Sequence, residues 1–379
     1  MLLIAKSTTS VQKNKESWSP LLRKTYALDT FTLAFFFVKK KDGKLRPVQD
    51  YHRLNAIMVK NWYPLPLISE LVNKLKGAKY FTKLDIQWGY NNVHIRKDDE
   101  WKAVFCTNLG LFEPTVMFFR LTNSPSTFQN LMNNIFHDLI LEGKVLVYLD
   151  DILIFTKTLE EHRQITACVL QILRHHRLYL KPEKCTFEQT QIEYLGLIIS
   201  ENEIQMDPVK IQGVSQWPVP TCKRDVQAFL GFTNFYHHFI RGFGDLAKPL
   251  NVLTGLVLWS WGDEQQSAFD ALKIAVMSAP VLAIPTDSDP YQVEADSSGC
   301  AIGAVLSQCQ HRFWHPITFL SKSLNPTERN YEIYDRNLLA IMTALSEWHH
   351  HLMGAPVDFE IWTDHQNLTY FRKPQKLNR

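Results

Sequence analysis

The stretch VLVYLDDILIF, Val145 to Phe155, sets two adjacent acids between two runs that belong inside a sheet. Val145 to Leu149 and Ile152 to Phe155 are β-branched, aromatic or large aliphatic, the composition of a pleated and buried surface. So short a separation reads as a β-hairpin with Asp150 and Asp151 at its turn. Like charges held side by side repel, and burying them is costly unless something neutralises them. A divalent cation is the usual remedy, and carboxylate oxygens at a sheet edge suit Mg2+. The plainer alternative is a pair of acids that serves only the turn, and the dipeptide alone leaves both open.

A third acid, Asp85, ends the strand-like segment YFTKLDI. If that strand pairs with the hairpin, three carboxylates converge, an arrangement that can hold two metal ions ~3.5–4 Å apart for in-line phosphoryl displacement. The segment LAFFFVKKKDGKLRPVQDY reads as an earlier hairpin with Asp42-Gly43 at its turn, and it carries Lys40 and Arg46 where phosphate-binding cations would sit. Tyr90 follows Asp85 closely enough for its ring to crowd a sugar 2′-position.

Composition supports real cores rather than disorder, with 45% hydrophobic and 21% charged residues in 379. The length suits two or three modules. A net charge of +3 and a pI near 8.4 neither demand nor exclude nucleic acid. The six cysteines form no CxxC pair, as expected of reduced thiols in a cytoplasmic or nuclear protein. Adjacent histidines at 175–176, 237–238 and 349–351 lack zinc-finger spacing and read as solvated helical faces. No apolar run approaches the ~20 residues that span a bilayer, and the opening MLLIAKS is too short for a signal-peptide core. The expectation is an intracellular protein with no membrane partner.

Along the chain, LISELVNKLKG reads as a short amphipathic helix stopped by Gly77, and Pro125 to Leu141 as a longer one. Thr158-Leu159-Glu160-Glu161 is a capping box opening a helix through Leu173. Glu193 to Met206 reads as a hairpin, DPVKIQGVSQWPVP as a Pro-bounded segment, and RDVQAFLGFTNFYHHFI as an aromatic-rich helix whose rings serve a core. From Pro290 the pattern becomes three strands (YQVEADSS, AIGAVLSQ, HPITFLSKSL), a helix (NYEIYDRNLLAIMTALSEWHHHLMG) and a strand (DFEIWTD), a fresh α/β module.

Many of these segments together resemble a known family. FFFVKKKDGKLRPVQDY, KNWYPLPLISEL, YFTKLDIQWGYNNVHI, LTNSPSTFQNLMN, VYLDDILIFTKTLEEH and EYLGLIIS resemble the polymerase of gypsy-type LTR retrotransposons. VEADSSG, GAVLSQ, ITFLSKSL, NYEIYD and IWTDHQNL resemble the RNase H domain that follows it. The resemblance implies an α+β chain: a right-hand polymerase fold of fingers, palm and thumb, then a connection segment and an incomplete α/β RNase H-like domain. Its implied boundaries are fingers and palm at 31–205, thumb and connection at 206–289 and the RNase H-like part at 290–379, with 1–30 an unassigned remnant.

The implied function is RNA-directed DNA synthesis on an RNA or DNA primer-template from dNTPs, with two Mg2+ ions. By the same route Asp85, Asp150 and Asp151 are the catalytic, metal-binding carboxylates. Lys40, Arg46, Tyr90 and Phe119 contact the incoming nucleotide, Tyr90 as the gate against ribose, and Tyr194-Leu195-Gly196 grips the primer end. Asp296 and Asp364 are the surviving metal ligands of the RNase H-like part.

Three departures from the family pattern stand out. Arg120 replaces a glycine where backbone approaches the nucleotide, so its side chain is expected to disturb that pocket. Asn337 replaces the RNase H glutamate, and an amide lacks the charge that poises two cations. The chain ends at KLNR, soon after the strand carrying Asp364. Nuclease activity is therefore expected to be lost, in a truncated and partly degenerate copy.

Overall fold

A computed structural model of the chain describes residues 22–25, 33–39, 43, 45–66, 74–107, 109–355 and 357–363. The described residues divide into two compact units. Residues before 67 together with Tyr80–Gln189 form the first, and residues 74–79 with those from Thr190 onward form the second.

The first unit holds two sheets. One comprises β1 (Leu22–Thr25), β2 (Leu33–Lys39), β3 (Leu45–Gln49), β5 (Phe105–Thr107) and β6 (Gly110–Pro114), in the order β1-β6-β5-β2-β3. The short helix α1 (His52–Ile57) follows β3. The other sheet comprises β4 (Tyr80–Asp85), β7 (Val145–Tyr148), β8 (Asp151–Thr156) and β9 (Thr186–Gln189), in the order β7-β8-β4-β9, with every pairing antiparallel. Two long helices cover one face of this second sheet: α2 (Ser124–Ile135), followed by the short α3 (His137–Leu141), and α4 (Leu159–His175).

Period-2 alternation decides which side chains meet those helices. Leu84, Ile152, Ile154, Val145 and Val147 pack against Phe128 and Met132 of α2 and Val169 and Leu173 of α4, in one core of fully buried residues. Asp85 and Asp151, one residue out of phase with Leu84 and Ile152, project from the opposite face. The N-terminus of α4 is built from its own sequence. Thr158 accepts a hydrogen bond from the Glu161 amide at 3.4 Å, while Glu160 and Glu161 lie in the first turn and Arg174 and His175 in the last, complementing the helix dipole. The carboxylate of Glu161 pairs with Lys144 instead of closing the expected capping box.

The second unit opens with a three-strand meander, β10 (Gln191–Tyr194), β11 (Leu197–Ser200) and β12 (Glu203–Met206), extended by β13 (Leu282–Ala283). Its helices are α5 (Pro208–Ser215), α6 (Lys223–Phe235), α7 (Phe243–Thr254) and α8 (Asp263–Met277). Aromatic packing joins them, with Phe229 and Phe269 ring centroids 4.6 Å apart and Trp217 against Phe229. The last part is β14 (Tyr291–Ser297), β15 (Ala301–Gln310), β16 (Phe313–Ser323), α9 (Ile333–Glu347), α10 (His349–Leu352) and β17 (Glu360–Trp362). The strand order is β16-β15-β14-β17, with only β14 and β17 parallel, so the chain crosses over through α9. Ala340, Ile341 and Ala344 of α9 pack on Val293 and Ala295 of β14 and on Ala304 and Leu306 of β15.

The expected order of elements is present among the described residues, with local differences. The expected hairpin over Glu193–Met206 is part of a meander, because β10 begins earlier and two tight turns fit within the segment. The Pro-bounded segment contains α5, whose N-cap Asp207 accepts from the Val209 amide at 2.9 Å with Pro208 at the first helical position. The helix expected over Pro125–Leu141 breaks at Phe136, where the backbone leaves helical geometry. Most of the expected helix LISELVNKLKG lies outside the described residues. All six cysteines are free. Among the described residues no helix is long and apolar enough to cross a membrane.

Two imidazoles of the second unit are held neutral by their surroundings. Burial, with His237 nearby, lowers His238 from 6.5 to about 4, and burial, with His350 and Lys76 nearby, does the same to His351. Between these values the unfolded chain binds protons that the fold refuses, so the stabilisation is complete above pH 6.5 and is lost as pH falls toward 4. Thermal unfolding followed by circular dichroism should show a midpoint that drops across this window, and a His238→Gln, His351→Gln double variant should lose most of that slope.

Candidate active site

The carboxylates at the edge of the second sheet are placed by strand register. Asp85 and Asp151 are direct partners across the antiparallel β4–β8 pair, so their side chains share one face. The Ile86 amide donates to the Asp150 carbonyl at 2.9 Å, which ties the third acid to the end of β4. The hairpin differs from expectation by one residue. Tyr148 pairs with Asp151, so Leu149 and Asp150 form the turn and Asp151 opens β8.

Leu149 has φ +54°, a left-handed conformation that a residue with a side chain adopts at a cost. Gln129 on α2 holds it there. The Gln129 Oε1 accepts from the Leu149 amide at 2.8 Å and its Nε2 donates to the Val147 carbonyl at 3.0 Å, with the side chain fully buried. Sequence reasoning missed Gln129; only its place within SPSTFQ marks it. Gly89 was missed as well. A Cβ at Gly89 would lie 3.2 Å from the Asp150 Cβ and 3.3 Å from the Phe128 ring, so a side chain here would press on the turn of the acids and on a buried ring.

Electrostatics divide the acids. Burial would raise Asp85, but hydrogen bonds from Lys181 and Lys184 prevail and hold its carboxyl below the usual range. Lys181 donates to Oδ1, and Lys184 to Oδ2 at 2.9 Å. Burial pushes the Asp151 carboxyl up, reinforced by Asp150 and Asp85 and opposed by Lys83 and Lys184. An all-oxygen donor set of mutually repelling carboxylates fits a hard cation such as Mg2+. Asp151 lies close enough to Asp150 and Asp85 for both charges to act on it, so the three acids share one edge of the sheet without closing a metal-holding cluster. Among the described residues no three His, Cys, Asp or Glu side chains make a group that could hold a metal, and both oxygens of Asp85 are engaged by ammonium groups. A cation entering here competes with Lys181 and Lys184.

Tyr90 and Phe119, both expected at the nucleotide, come together. Their rings meet edge-on at 5.1 Å, and Tyr90 also meets Phe128 edge-on at 5.7 Å. Burial, with Asp150 and Tyr148 nearby, pushes the Tyr90 hydroxyl up to about 12, so it stays a hydrogen-bond donor. Both rings line a cavity of about 300 Å3 with Val38, Val48, Arg120, Leu121 and Pro125. Lys40 and the Arg46 side chain lie outside the described residues; the Arg46 backbone pairs with Val38.

Arg120 has φ +75°, the conformation that a glycine adopts freely. Asn55 fixes the local backbone, donating to the Arg120 carbonyl at 2.8 Å and accepting from the Thr122 amide at 2.9 Å. The guanidinium lies 5.6 Å from the Phe36 ring centroid, at the wall of the cavity.

In the second unit, Tyr194 pairs with Leu197, and Leu195 and Gly196 form the turn between them with φ +52° and +79°. Positive φ at both turn positions is the geometry of a tight two-residue hairpin. The Tyr236 hydroxyl donates to the Gly196 carbonyl at 3.1 Å. Asp296 near the end of β14 is exposed and accepts from the adjacent Ser297 amide at 2.7 Å. Asn337 is buried in α9, where its Oδ1 accepts from the Ser297 hydroxyl, so the two positions are not joined directly. Asp364 lies outside the described residues.

The clamp and the strained turn each give a stability test. Gln129→Leu removes three hydrogen bonds, to Val147, Leu149 and Asn133, and should cost about 2 kcal/mol in urea unfolding. Arg120→Gly and Arg120→Ala both delete the guanidinium, so the glycine variant should be the more stable by about 1 kcal/mol, the cost of a side chain at positive φ.

Residues 38–199 match the family described as "Reverse transcriptase (RNA-dependent DNA polymerase)", and residues 261–360 match "RNase H-like domain found in reverse transcriptase". The Tf2-3 and Tf2-7 transposon polyproteins of Schizosaccharomyces pombe are each 36% identical over 352 residues, which is 92% of this chain and 26% of theirs. The chain thus spans about a quarter of the length of these curated relatives. A foamy viral protease-reverse transcriptase solved with dsDNA superposes with a TM-score of 0.83 at 20% identity, covering 99% of this chain and 78% of that one. The same viral protein solved with an RNA/DNA hybrid gives 0.78 at 20% identity, covering 98% and 50%. These likenesses establish the fold: a reverse transcriptase polymerase fold followed by an RNase H-like domain. The chain belongs to the reverse transcriptase family and carries an RNase H-like domain related to those of retrotransposon polyproteins.

Proposed function

We propose that the chain is the polymerase of a retrotransposon and extends a primer on an RNA or DNA template by two-metal phosphoryl transfer. The observation that carries this reading is the register of β4 and β8, which sets Asp85 opposite Asp151 and leaves Asp150 in the adjoining turn. In the reaction the primer 3′-oxygen attacks the α-phosphorus of a dNTP. A new phosphodiester bond forms, the bond to the β-phosphate bridging oxygen breaks, and pyrophosphate leaves. Two Mg2+ ions, when bound, offset the charge that develops on the attacking and leaving oxygens.

The side chains divide this work. Asp85, Asp150 and Asp151 supply the carboxylate oxygens, and Gln129 keeps the turn rigid. Tyr90, wedged between Phe119 and Phe128, presents a fixed ring beside the sugar and excludes a 2′-hydroxyl. Lys40 and Arg46 take the triphosphate charge, and the turn Tyr194-Leu195-Gly196 holds the primer end. Foamy viral relatives were solved with an RNA/DNA hybrid and with dsDNA, which supports a primer-template as the partner.

Arg120 favours a second reading. Its guanidinium stands at the cavity that Tyr90 and Phe119 line, so the copy binds nucleic acid and fails at nucleotide entry. We assign no hydrolysis to the RNase H-like part, since Asn337 is a buried amide bonded to Ser297. Primer extension on an RNA template separates the readings. The first expects Mg2+-dependent incorporation that Asp151→Asn reduces at least ~1,000-fold, on the scale of losing a transition-state electrostatic contact. Silence of the chain with recovery in Arg120→Gly supports the second, and silence of both rejects polymerase activity.

A further inference from the structure

The hydrogen bonds of Gln129 continue beyond the turn of the acids. Its Nε2 donates to the Asn133 Oδ1 at 2.8 Å as well as to the Val147 carbonyl, and the Asn133 Nδ2 donates to the Tyr63 hydroxyl at 2.8 Å. Gln129 and Asn133 are four residues apart on α2, so their amides meet along one side of the helix. Tyr63 lies 70 residues before Asn133, in the segment 59–66, which is neither helix nor strand. An unbroken series of hydrogen bonds therefore runs from this strap, through α2, to the Leu149 amide.

The polarity of that series is fixed at the hairpin. The Leu149 amide can only donate and the Val147 carbonyl can only accept, so Gln129 must turn Oε1 to the first and Nε2 to the second. The other Nε2 hydrogen needs an acceptor, which is the Asn133 Oδ1. Asn133 is left to present its NH2 group to Tyr63, whose oxygen accepts. Each choice determines the next, and bonds in such a series polarise and strengthen one another. The strap has separate attachments to α2. The Asn123 side chain accepts from the Asn61 amide at 2.9 Å and donates to the Val59 carbonyl at 2.8 Å, and the Asn61 side chain donates to the Thr127 hydroxyl at 3.4 Å. The strap is thus held without the Tyr63 hydroxyl, which serves the amides beneath it.

We propose that Tyr63 and Asn133 are positioning residues for the turn that carries Asp150, acting on it through Gln129. Leu149 keeps its left-handed conformation at φ +54° because Gln129 stays in one rotamer. Asn133 holds the Gln129 amide in that orientation, and Tyr63 holds Asn133. Loss of the outermost bond frees the Asn133 amide to turn, and the slack passes to Gln129, to Leu149 and so to the placement of the acids, on which the rate depends steeply. The consequence for catalysis rests on the chain being a polymerase; the coupling of Tyr63 to Leu149 does not.

Residue-resolved amide hydrogen exchange on the full chain tests the coupling. Tyr63→Phe removes only a hydroxyl, and Asn133→Leu removes the amide at nearly the same volume. In each variant the Leu149 amide should exchange about fivefold faster, the size of one neutral hydrogen bond, while the amides of α4 and of β10 to β12 keep the parent rates. The double variant should match Asn133→Leu alone, because Tyr63 reaches the turn only through Asn133. Effects that add would overturn the proposal. So would an unchanged Leu149 rate in both single variants, or a rise shared equally by α4, the mark of general loosening. In primer extension Tyr63→Phe should lower kcat about fivefold at an unchanged KM for dNTP, since the acids shift and the nucleotide contacts remain. A rise in KM at the parent kcat would assign Tyr63 to substrate binding and overturn its positioning role. If the parent chain incorporates nothing, the exchange rates still decide the coupling, and only the polymerase reading falls.

Discussion

The antiparallel pairing of β4 with β8 is the constraint on which the rest of the site depends. It does two things through a single register. Leu84 and Ile152 turn inward under α2 and α4, and Asp85 and Asp151, one step along, turn outward together. A slip of one residue would send the acids into the helices and the aliphatic side chains to solvent. The buried face therefore enforces the placement of the charged one. The large apolar area beneath the sheet supplies the energy that holds two repelling carboxylates on the same side of adjacent strands.

Three of the ten described non-glycine residues with positive φ lie in segments near this pair. Trp88, Arg120 and Leu149 all have positive φ, at +56°, +75° and +54°. Each belongs to a segment that contributes to the site: Trp88 precedes the Gly89-Tyr90 turn, Arg120 edges the aromatic cavity, and Leu149 leads the turn of the acids. Such conformations persist only where neighbours determine them more than once. For Leu149 the neighbour is Gln129, with two bonds to the backbone of the hairpin; for Arg120 it is Asn55, again with two. Both clamps are side-chain amides, which can donate and accept in one plane and so match a peptide group.

This explains how much the sequence could disclose. The existence of the hairpin at Val145–Phe155 was legible because strand composition is a local property. Its register was not, since nothing in Leu149 announces a left-handed turn, and the residue that imposes it is twenty positions earlier in another element. The helix α5 was missed although Asp207-Pro208 is a start signal of the ordinary kind; the flanking prolines drew the reading toward a loop. Asp85, Asp150, Asp151 and Tyr90 stood out from strand pattern and spacing, and the resemblance to reverse transcriptases gave them roles and added Phe119. It marked Arg120 as foreign, and its positive φ supplies the physical reason a glycine belongs there.

The RNase H-like module shows the opposite balance between charge and burial. Position 337 faces inward on α9, 2% exposed and bonded to Ser297. A carboxylate there, without a cation beside it, would have to be desolvated with one hydroxyl for company, and a lone buried charge costs several kcal/mol (~3–5 by the effect of breaking buried pairs). An asparagine of nearly the same shape meets the Ser297 hydroxyl with its carbonyl and carries no charge to desolvate. The amide thus suits a helix whose neighbours Ala340, Ile341 and Ala344 form the core of the module. In the polymerase unit the acids remain, flanked by Lys181 and Lys184. In this module the buried position is neutral, so its packing holds without any counter-charge.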